Sequence, residues 1–150
     1  MGITDSAALR GWRTTSVGLR GWLHVPPNPK KVAERMSGLE RYLASAKLTP
    51  VTRALLVHLE FVTIHPFVDG NGRLGRLLMN HVLLSAGFPW VTVRSDERLP
   101  FFKSIEQAQM KNDGGVCVRF MWHLIEQSAR EIQLSTGRTP IQRSIKRKPK

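Results

Sequence analysis

Disulfide chemistry is the first thing the sequence excludes. Its 150 residues contain one cysteine, Cys117, which can form neither an intramolecular bridge nor a cysteine-based zinc cluster. With Val116, Val118 and Phe120 around it and no histidine nearby, Cys117 reads as a core thiol. No apolar run approaches the roughly 20 residues that cross a bilayer, so no transmembrane segment is expected. The opening stretch, residues 1–16, is polar, carries both charge signs and lacks the apolar centre of a secretory signal. A cytoplasmic location is the expectation, with a secreted effector as the other. Acidic residues are scarce, 11 against 23 lysines and arginines, for a net charge of +12.

That excess of positive charge suggests a nucleic-acid or acidic-membrane partner, but its distribution argues otherwise. Arg138, Arg143, Lys146, Arg147, Lys148 and Lys150 all fall in the last 13 residues. This stretch is poor in apolar residues and reads as a disordered, solubilising tail over residues 136–150. No specific nucleic-acid partner is expected. The hydrophobic fraction of 41% is ordinary, and the length suits one domain with one core.

The apolar pattern is helical. Residues 1–10 look irregular. Residues 13–25 are rich in Thr, Val and Trp, with Gly18 and Gly21 as turn points, and predict a short β-hairpin. Asn28 followed by Pro29 is a helix start. Val32, Met36, Leu39 and Leu43 then recur on one helical face. Thr49-Pro50 repeats the start signal, with Val51, Leu55, His58, Leu59 and Val62 on the next stripe. Pro66 disfavours a helical backbone at His65, so that helix covers residues 50–64. The following helix runs from about Gly70 to Ala86, with Gly87 as its stop. Residues 90–93 suggest a short extended piece. A further helix covers residues 99–110, and the last covers residues 116–134 with Val118, Met121, Trp122, Ile125 and Ile132 facing inward. The fold class is all-α, about five helices with one hairpin.

The chemistry concentrates in His65-Pro-Phe-Val-Asp-Gly-Asn-Gly-Arg-Leu-Gly-Arg76. At a helix start, the first-turn N–H groups have no partner inside the helix and face outward at its positive end. Gly70 and Gly72 remove side chains that would block a ligand. Anions, phosphates above all, settle at such a place, and Asn71 adds an uncharged side-chain donor. Arg73 and Arg76 lie three apart, on one side of the helix, and two forked guanidiniums suit a di- or triphosphate. Asp69 beside phosphates makes sense as a ligand of a divalent cation. His65 is the group in the segment that takes a proton near neutral pH. Together these read as a phosphoryl- or nucleotidyl-transfer site. A zinc site from His58, His65 and His81 lacks fixed ligand spacing.

The order His-x-Phe-x-Asp-Gly-Asn-Gly-Arg-x-x-Arg resembles the Fic family signature at every fixed position. Gly11-Trp-Arg-Thr-Thr15, His24-Val-Pro-Pro27, Leu77-Leu-Met-Asn80 and Ala86-Gly-Phe-Pro89 are also similar to family text, most of all that of the animal-type Fic AMPylators. The resemblance covers residues 11–134, which makes 11–135 a Fic domain and a Fic-type helical bundle. It implies a protein adenylyltransferase: AMP passes from ATP to a Tyr, Thr or Ser hydroxyl of a target protein, and pyrophosphate leaves. In that scheme His65 is the base, Asp69 holds Mg²⁺, and Gly70, Asn71, Gly72 and Arg73 hold the α- and β-phosphates. Arg76 holds the γ-phosphate. The hairpin, with Thr15, Ser16, Val17, Gly18 and Leu19, is the flap that pairs with the target. Gln109 stands where the family has an adenine-side Asn, and Phe102 in a neighbouring Tyr position. The family's inhibitory motif ends in Glu followed by Gly or Asn, and no such pair occurs here. A separate, antitoxin-like partner, an unrestrained enzyme or a fragment are the expectations that follow. The alternatives are a non-catalytic or truncated module that binds nucleotide or protein, and an enzyme that transfers another phosphate-containing group. Gly72, where phosphate-transferring members tend to have Lys, argues against plain phosphate transfer.

Overall fold

The computed structural model describes residues 11–18, 24–111 and 114–137. Five helices follow in order: α1 (Val32–Ser45), α2 (Pro50–Ile64), α3 (Asn71–Ser85), α4 (Arg98–Lys111) and α5 (Gly115–Thr136). A 3₁₀ turn, Pro29–Lys31, leads into α1. No strand occurs among the described residues. The expected hairpin therefore has no strand over residues 13–18 or 24–25. Leu19, Arg20, Gly21, Trp22 and Leu23 lie outside the described residues, as do residues 1–10 and the tail from Arg138.

The start and stop signals act locally as their chemistry requires. Asn28 Oδ1 accepts the Lys30 N–H at 3.0 Å and opens the 3₁₀ turn. The helix start expected at Pro29 is thus a tighter turn, with α-helical geometry beginning three residues later. Thr49 caps α2 through its hydroxyl, 3.3 Å from the Thr52 N–H. Gly87, at φ +79°, ends α3. Its N–H reaches the Leu84 carbonyl and the Phe88 N–H reaches the Leu83 carbonyl, both at 2.9 Å, the paired closure that satisfies two orphan carbonyls.

Helix α2 is the centre of the molecule. It packs against α1, α3 and α5, while α4 packs on α5. Its buried residues exceed a single stripe: Val51, Ala54, Leu55, Val57, His58, Phe61, Val62 and Ile64. The core runs from these through Met79 and Leu83 of α3 and Phe101, Ile105 and Ala108 of α4. It ends on Cys117, Met121, Trp122, Leu124 and Ile125 of α5. Each fully buried aliphatic or aromatic side chain contributes about 1.5–3 kcal/mol. Cys117 is a core thiol, its Sγ 2.9 Å from the Ser104 carbonyl. Helix α1 is peripheral: Val32 is buried, whereas Met36, Leu39 and Leu43 are only half-covered.

Two approaches set the position of α3. At Gly75 the helix comes so close to α2 that an added Cβ would lie 3.0 Å from His58 Nδ1 and 3.1 Å from Val62 Cγ1. Beyond the helix, the expected extended piece at 90–93 forms no strand. Buried Asn80 instead takes a strand partner's place: its Oδ1 accepts the Val91 N–H at 2.7 Å and its Nδ2 donates to the Val91 carbonyl at 2.9 Å.

Candidate functional site

The site begins where α2 is forced to end. His65 sits at φ 52°, ψ 59°, the single non-glycine residue with positive φ among the described residues. A left-handed residue with a Cβ costs about 1–2 kcal/mol, so its surroundings must hold it there. The His65 N–H donates to the Phe61 carbonyl at 3.0 Å. The His65 carbonyl accepts Arg13 Nε at 2.7 Å, and the Arg13 N–H donates to the Pro66 carbonyl at 2.8 Å. The chain thus turns back sharply toward the start of α3.

The imidazole is oriented by the same turn. Nδ1 lies 3.2 Å from the Val62 carbonyl. A carbonyl only accepts, so Nδ1 carries the proton and Nε2 is left as the proton acceptor in the neutral ring. Burial holds the His65 pKa below its ordinary value. The Val62 carbonyl opposes this, the charges of Arg13 and His24 reinforce it, and Asp69 opposes it. The outcome is an imidazole kept neutral, as a base requires.

The loop from Pro66 to Gly70 is fastened at two points. The Phe67 ring packs beside Trp12 and Phe61, with centroids 5.3 and 6.3 Å apart. Asn71, buried at the start of α3, accepts the Phe67 N–H at 2.9 Å and donates to the Phe67 carbonyl at 2.7 Å. Both ends of the Asn71 amide thus hold the loop, with one Nδ2 hydrogen and Oδ1 engaged on Phe67.

Gly70, at φ +82°, caps α3, and the first N–H to find a helical carbonyl is that of Leu74, on Gly70 at 2.9 Å. The N–H groups of Asn71, Gly72 and Arg73 face out at the positive end of the helix. At Gly72 an added Cβ would meet Arg76 Nη1 at 3.5 Å, an ordinary contact. Protein packing therefore does not demand glycine there, and its lack of a side chain leaves the helix start open to close approach.

Asp69 Oδ1 accepts the Gly70 N–H at 2.6 Å, and Oδ2 pairs with Arg73 Nη2 at 3.4 Å. Both side chains of this pair are more than half exposed, so the pair contributes little and opens readily. No carboxylate lies within 4.0 Å of Arg76 among the described residues. Its pKa is lowered by burial first, then by the charges of Arg98 and Arg73. A half-buried guanidinium among like charges makes a local field that attracts anions.

Gln109 is carried to the site by α4. Its amide meets Thr63 Oγ1 at 2.7 Å, two residues before His65, and the amide's other end is buried without a partner. Thr15, Ser16 and Gly18 are exposed and Val17 half-buried. Leu19 lies outside the described residues. Phe102 packs near Phe101. No group of three or more His, Cys, Asp or Glu that could hold a metal occurs among the described residues, so His58, His65 and His81 form no zinc centre.

Sequence reasoning gave no role to Arg13, His24, Thr63, Asn80 or Arg98. His24 Nε2 lies 3.0 Å from the Thr63 carbonyl, and Arg98 opens α4 beside Arg76. None of them carries a pattern of its own. They matter through partners 11 to 52 positions away in the chain.

Comparison with known proteins gives consistent matches. The family model described as Fic/DOC family matches residues 2–83. A protein adenylyltransferase Fic of Nematostella vectensis is 37% identical over 123 residues, 79% of this chain and 28% of the relative. The protein of the same name from Drosophila melanogaster is 43% identical over 103 residues, 65% of this chain and 20% of the relative. The chain thus spans between 20% and 28% of the length of these relatives. Among solved structures, Fic-1 (residues 134–508) of C. elegans superposes with a TM-score of 0.69 at 28% identity, covering 83% of this chain and 38% of that one. A Fic family protein from Desulfovibrio desulfuricans G20 gives 0.74 at 28% identity, covering 85% and 42%.

Proposed function

The chain belongs to the Fic/DOC family, and from that premise we propose that it transfers AMP from ATP to a Tyr, Thr or Ser hydroxyl of a target protein, with release of pyrophosphate. The observation that carries the proposal is the pairing of a neutral His65, its Nε2 left as acceptor, with an arginine-flanked helix start. Relatives named protein adenylyltransferase support the same class of reaction.

In the proposed reaction His65 Nε2 takes the proton of the target hydroxyl. The hydroxyl oxygen bonds to the α-phosphorus as the bond from that phosphorus to the α–β bridging oxygen breaks. The leaving pyrophosphate carries away the electron pair. The N–H groups of Asn71, Gly72 and Arg73 are placed to bind phosphate oxygens, and Arg73 and Arg76 to neutralise the charge that grows on the leaving group. Gln109 offers the unmet end of its amide to the nucleobase.

Magnesium is proposed with the nucleotide. A single exposed carboxylate, Asp69, fits a hydrated cation that takes its other ligands from phosphates and water, rather than a resident metal in a protein cage. When bound, Mg²⁺ would supply charge neutralisation on the phosphates. The lack of a carboxylate beside Arg76 among the described residues also supports an inhibitory partner that brings its own acid to that guanidinium.

The test is ATP labelled at the α-phosphate, with Mg²⁺ and the full chain. Label should pass to the chain itself or to a lysate protein, and His65→Ala should abolish it. Label transfer that survives His65→Ala sinks the mechanism. Label arriving only from the γ-phosphate replaces it with phosphoryl transfer, and ATP binding without transfer replaces it with a non-catalytic module.

A further inference from the structure

Arg13 is the one Lys, Arg, Asp or Glu side chain that is buried among the described residues, with 3% of its surface exposed. An unneutralised guanidinium is expensive to desolvate, and its pKa is lowered by burial. Yet no carboxylate pairs with it among the described residues. Among the described residues, every hydrogen-bond partner of its guanidinium is a main-chain carbonyl. Nε donates to His65 at 2.7 Å, Nη1 to Thr15 at 3.0 Å, and Nη2 to Pro27 at 2.6 Å and Ile64 at 3.4 Å. Its own N–H donates to the Pro66 carbonyl at 2.8 Å.

These acceptors are not scattered. Ile64 and His65 are the last carbonyls of α2, at the negative end of its dipole and without helical donors. Thr15 and Pro27 stand on either side of the segment between them. One planar fork therefore joins three things: the end of α2, the left-handed turn at His65, and both ends of residues 15–27. Lysine could supply the charge but not the fork. Helix capping alone would need only the bonds to Ile64 and His65. The bonds to Thr15 and Pro27 show a second duty.

We propose that Arg13 is a positioning residue for AMP transfer: its guanidinium locks the His65 turn and ties the main chain at Thr15 and at Pro27 to it, so that the base is held in one place. This rests on the function proposed above. It predicts an effect on the transfer step rather than on ATP binding, because the phosphate cradle belongs to α3 and its loop, which Arg13 touches only at Pro66. The groups facing the His65 imidazole are the Val62 carbonyl of α2, Arg13, His24 from the segment before α1, and Asp69 from the loop before α3. Loss of the Arg13 charge removes one of the two positive neighbours that help keep the ring neutral.

The experiment compares Arg13→Lys and Arg13→Gln with the full wild-type chain. Four quantities are read: the transfer rate at saturating ATP, ATP affinity by calorimetry, thermal unfolding, and the His65 titration by NMR. Arg13→Lys should lower the saturated rate about 10- to 100-fold, the scale set by a misplaced reacting group, with ATP affinity within twofold and the His65 titration in place. Arg13→Gln should show the same loss, and its acid limb and His65 titration should move to higher pH. A wild-type rate in Arg13→Lys overturns the proposal. So does a rate loss that tracks loss of the folded state, which leaves Arg13 a purely structural cap. Should the wild-type chain transfer no AMP, the function is wrong; Arg13 is then judged by NMR, and an unmoved His65 titration in Arg13→Gln overturns its role.

Discussion

Asn71→Ala should separate the loop fastening from the phosphate cradle. The wild-type amide is 2% exposed and makes two bonds, at 2.9 and 2.7 Å, to the N–H and carbonyl of Phe67. Alanine keeps the helix and its N–H groups but removes the side-chain partners of both main-chain polar groups of Phe67 in a half-buried loop. Each lost partner costs about 1–2 kcal/mol, since the stranded group is desolvated and water reaches it only in part. The sum is about 2–4 kcal/mol, a large share of the 5–15 kcal/mol that typically holds a domain together. Alanine's better helix propensity at the first turn returns about half a kcal/mol at most. Urea unfolding followed by circular dichroism should show an earlier midpoint with an unchanged slope, the mark of lost stability rather than of a changed unfolded state. AMP transfer should fall at temperatures where the variant remains folded, because Asp69 and His65 are held at either end of the loop that Asn71 fastens. A loss below about 0.5 kcal/mol, at the scale of an ordinary surface change, would refute the account of Asn71 as the tie of this loop.

Further outcomes follow from other parts of the site. His58, stacked on Phe101 with ring centroids 5.3 Å apart, has its pKa lowered to about 4, chiefly by burial. A depressed folded-state pKa means the unfolded chain binds the proton first. Stability should therefore be full above about pH 6.5, the unfolded value, and fall as pH drops toward 4. The loss is on the order of 3 kcal/mol, to which His65 adds in the same direction. Urea midpoints between pH 4 and 7 measure it, and His58→Leu should flatten the curve. Gly75→Val should destabilise by about 2–3 kcal/mol through overpacking, because even a Cβ would sit 3.0 Å from His58 Nδ1 and 3.1 Å from Val62 Cγ1, both on the buried face of α2; denaturant unfolding checks this. Chelation of Mg²⁺ should abolish α-label transfer, and added Mg²⁺ should restore it, while Asp69→Ala should raise the Mg²⁺ concentration that half-saturates the rate.

The helices were legible because their causes are local. Caps at Asn28 and Thr49, prolines at 29, 50 and 66, and the glycine at 87 act within a turn of where they stand. The apolar stripes state which faces must be covered. Burial around α2 was under-read, since periodicity reports one face and α2 is covered on several by α1, α3 and α5. The partner of the piece at 90–93 was not legible: the hydrogen bonds of Val91 come from the side chain of Asn80, not from another strand.

The same division runs through the site. The twelve residues from His65 to Arg76 determined a sharp turn followed by a glycine-capped helix start, because their order fixes the turn, the cap and the side of the helix that each arginine occupies. Tertiary structure decided how those residues are used. It bound the Asn71 side chain to Phe67, put His65 in a left-handed turn with Nε2 left to accept a proton, and brought Gln109 onto Thr63. It also buried Arg13, 52 residues from His65 in the chain, against the end of α2. Hydrogen bonds between distant segments leave no period or spacing in the chain. They exist only once packing has brought a donor from one segment to a carbonyl of another.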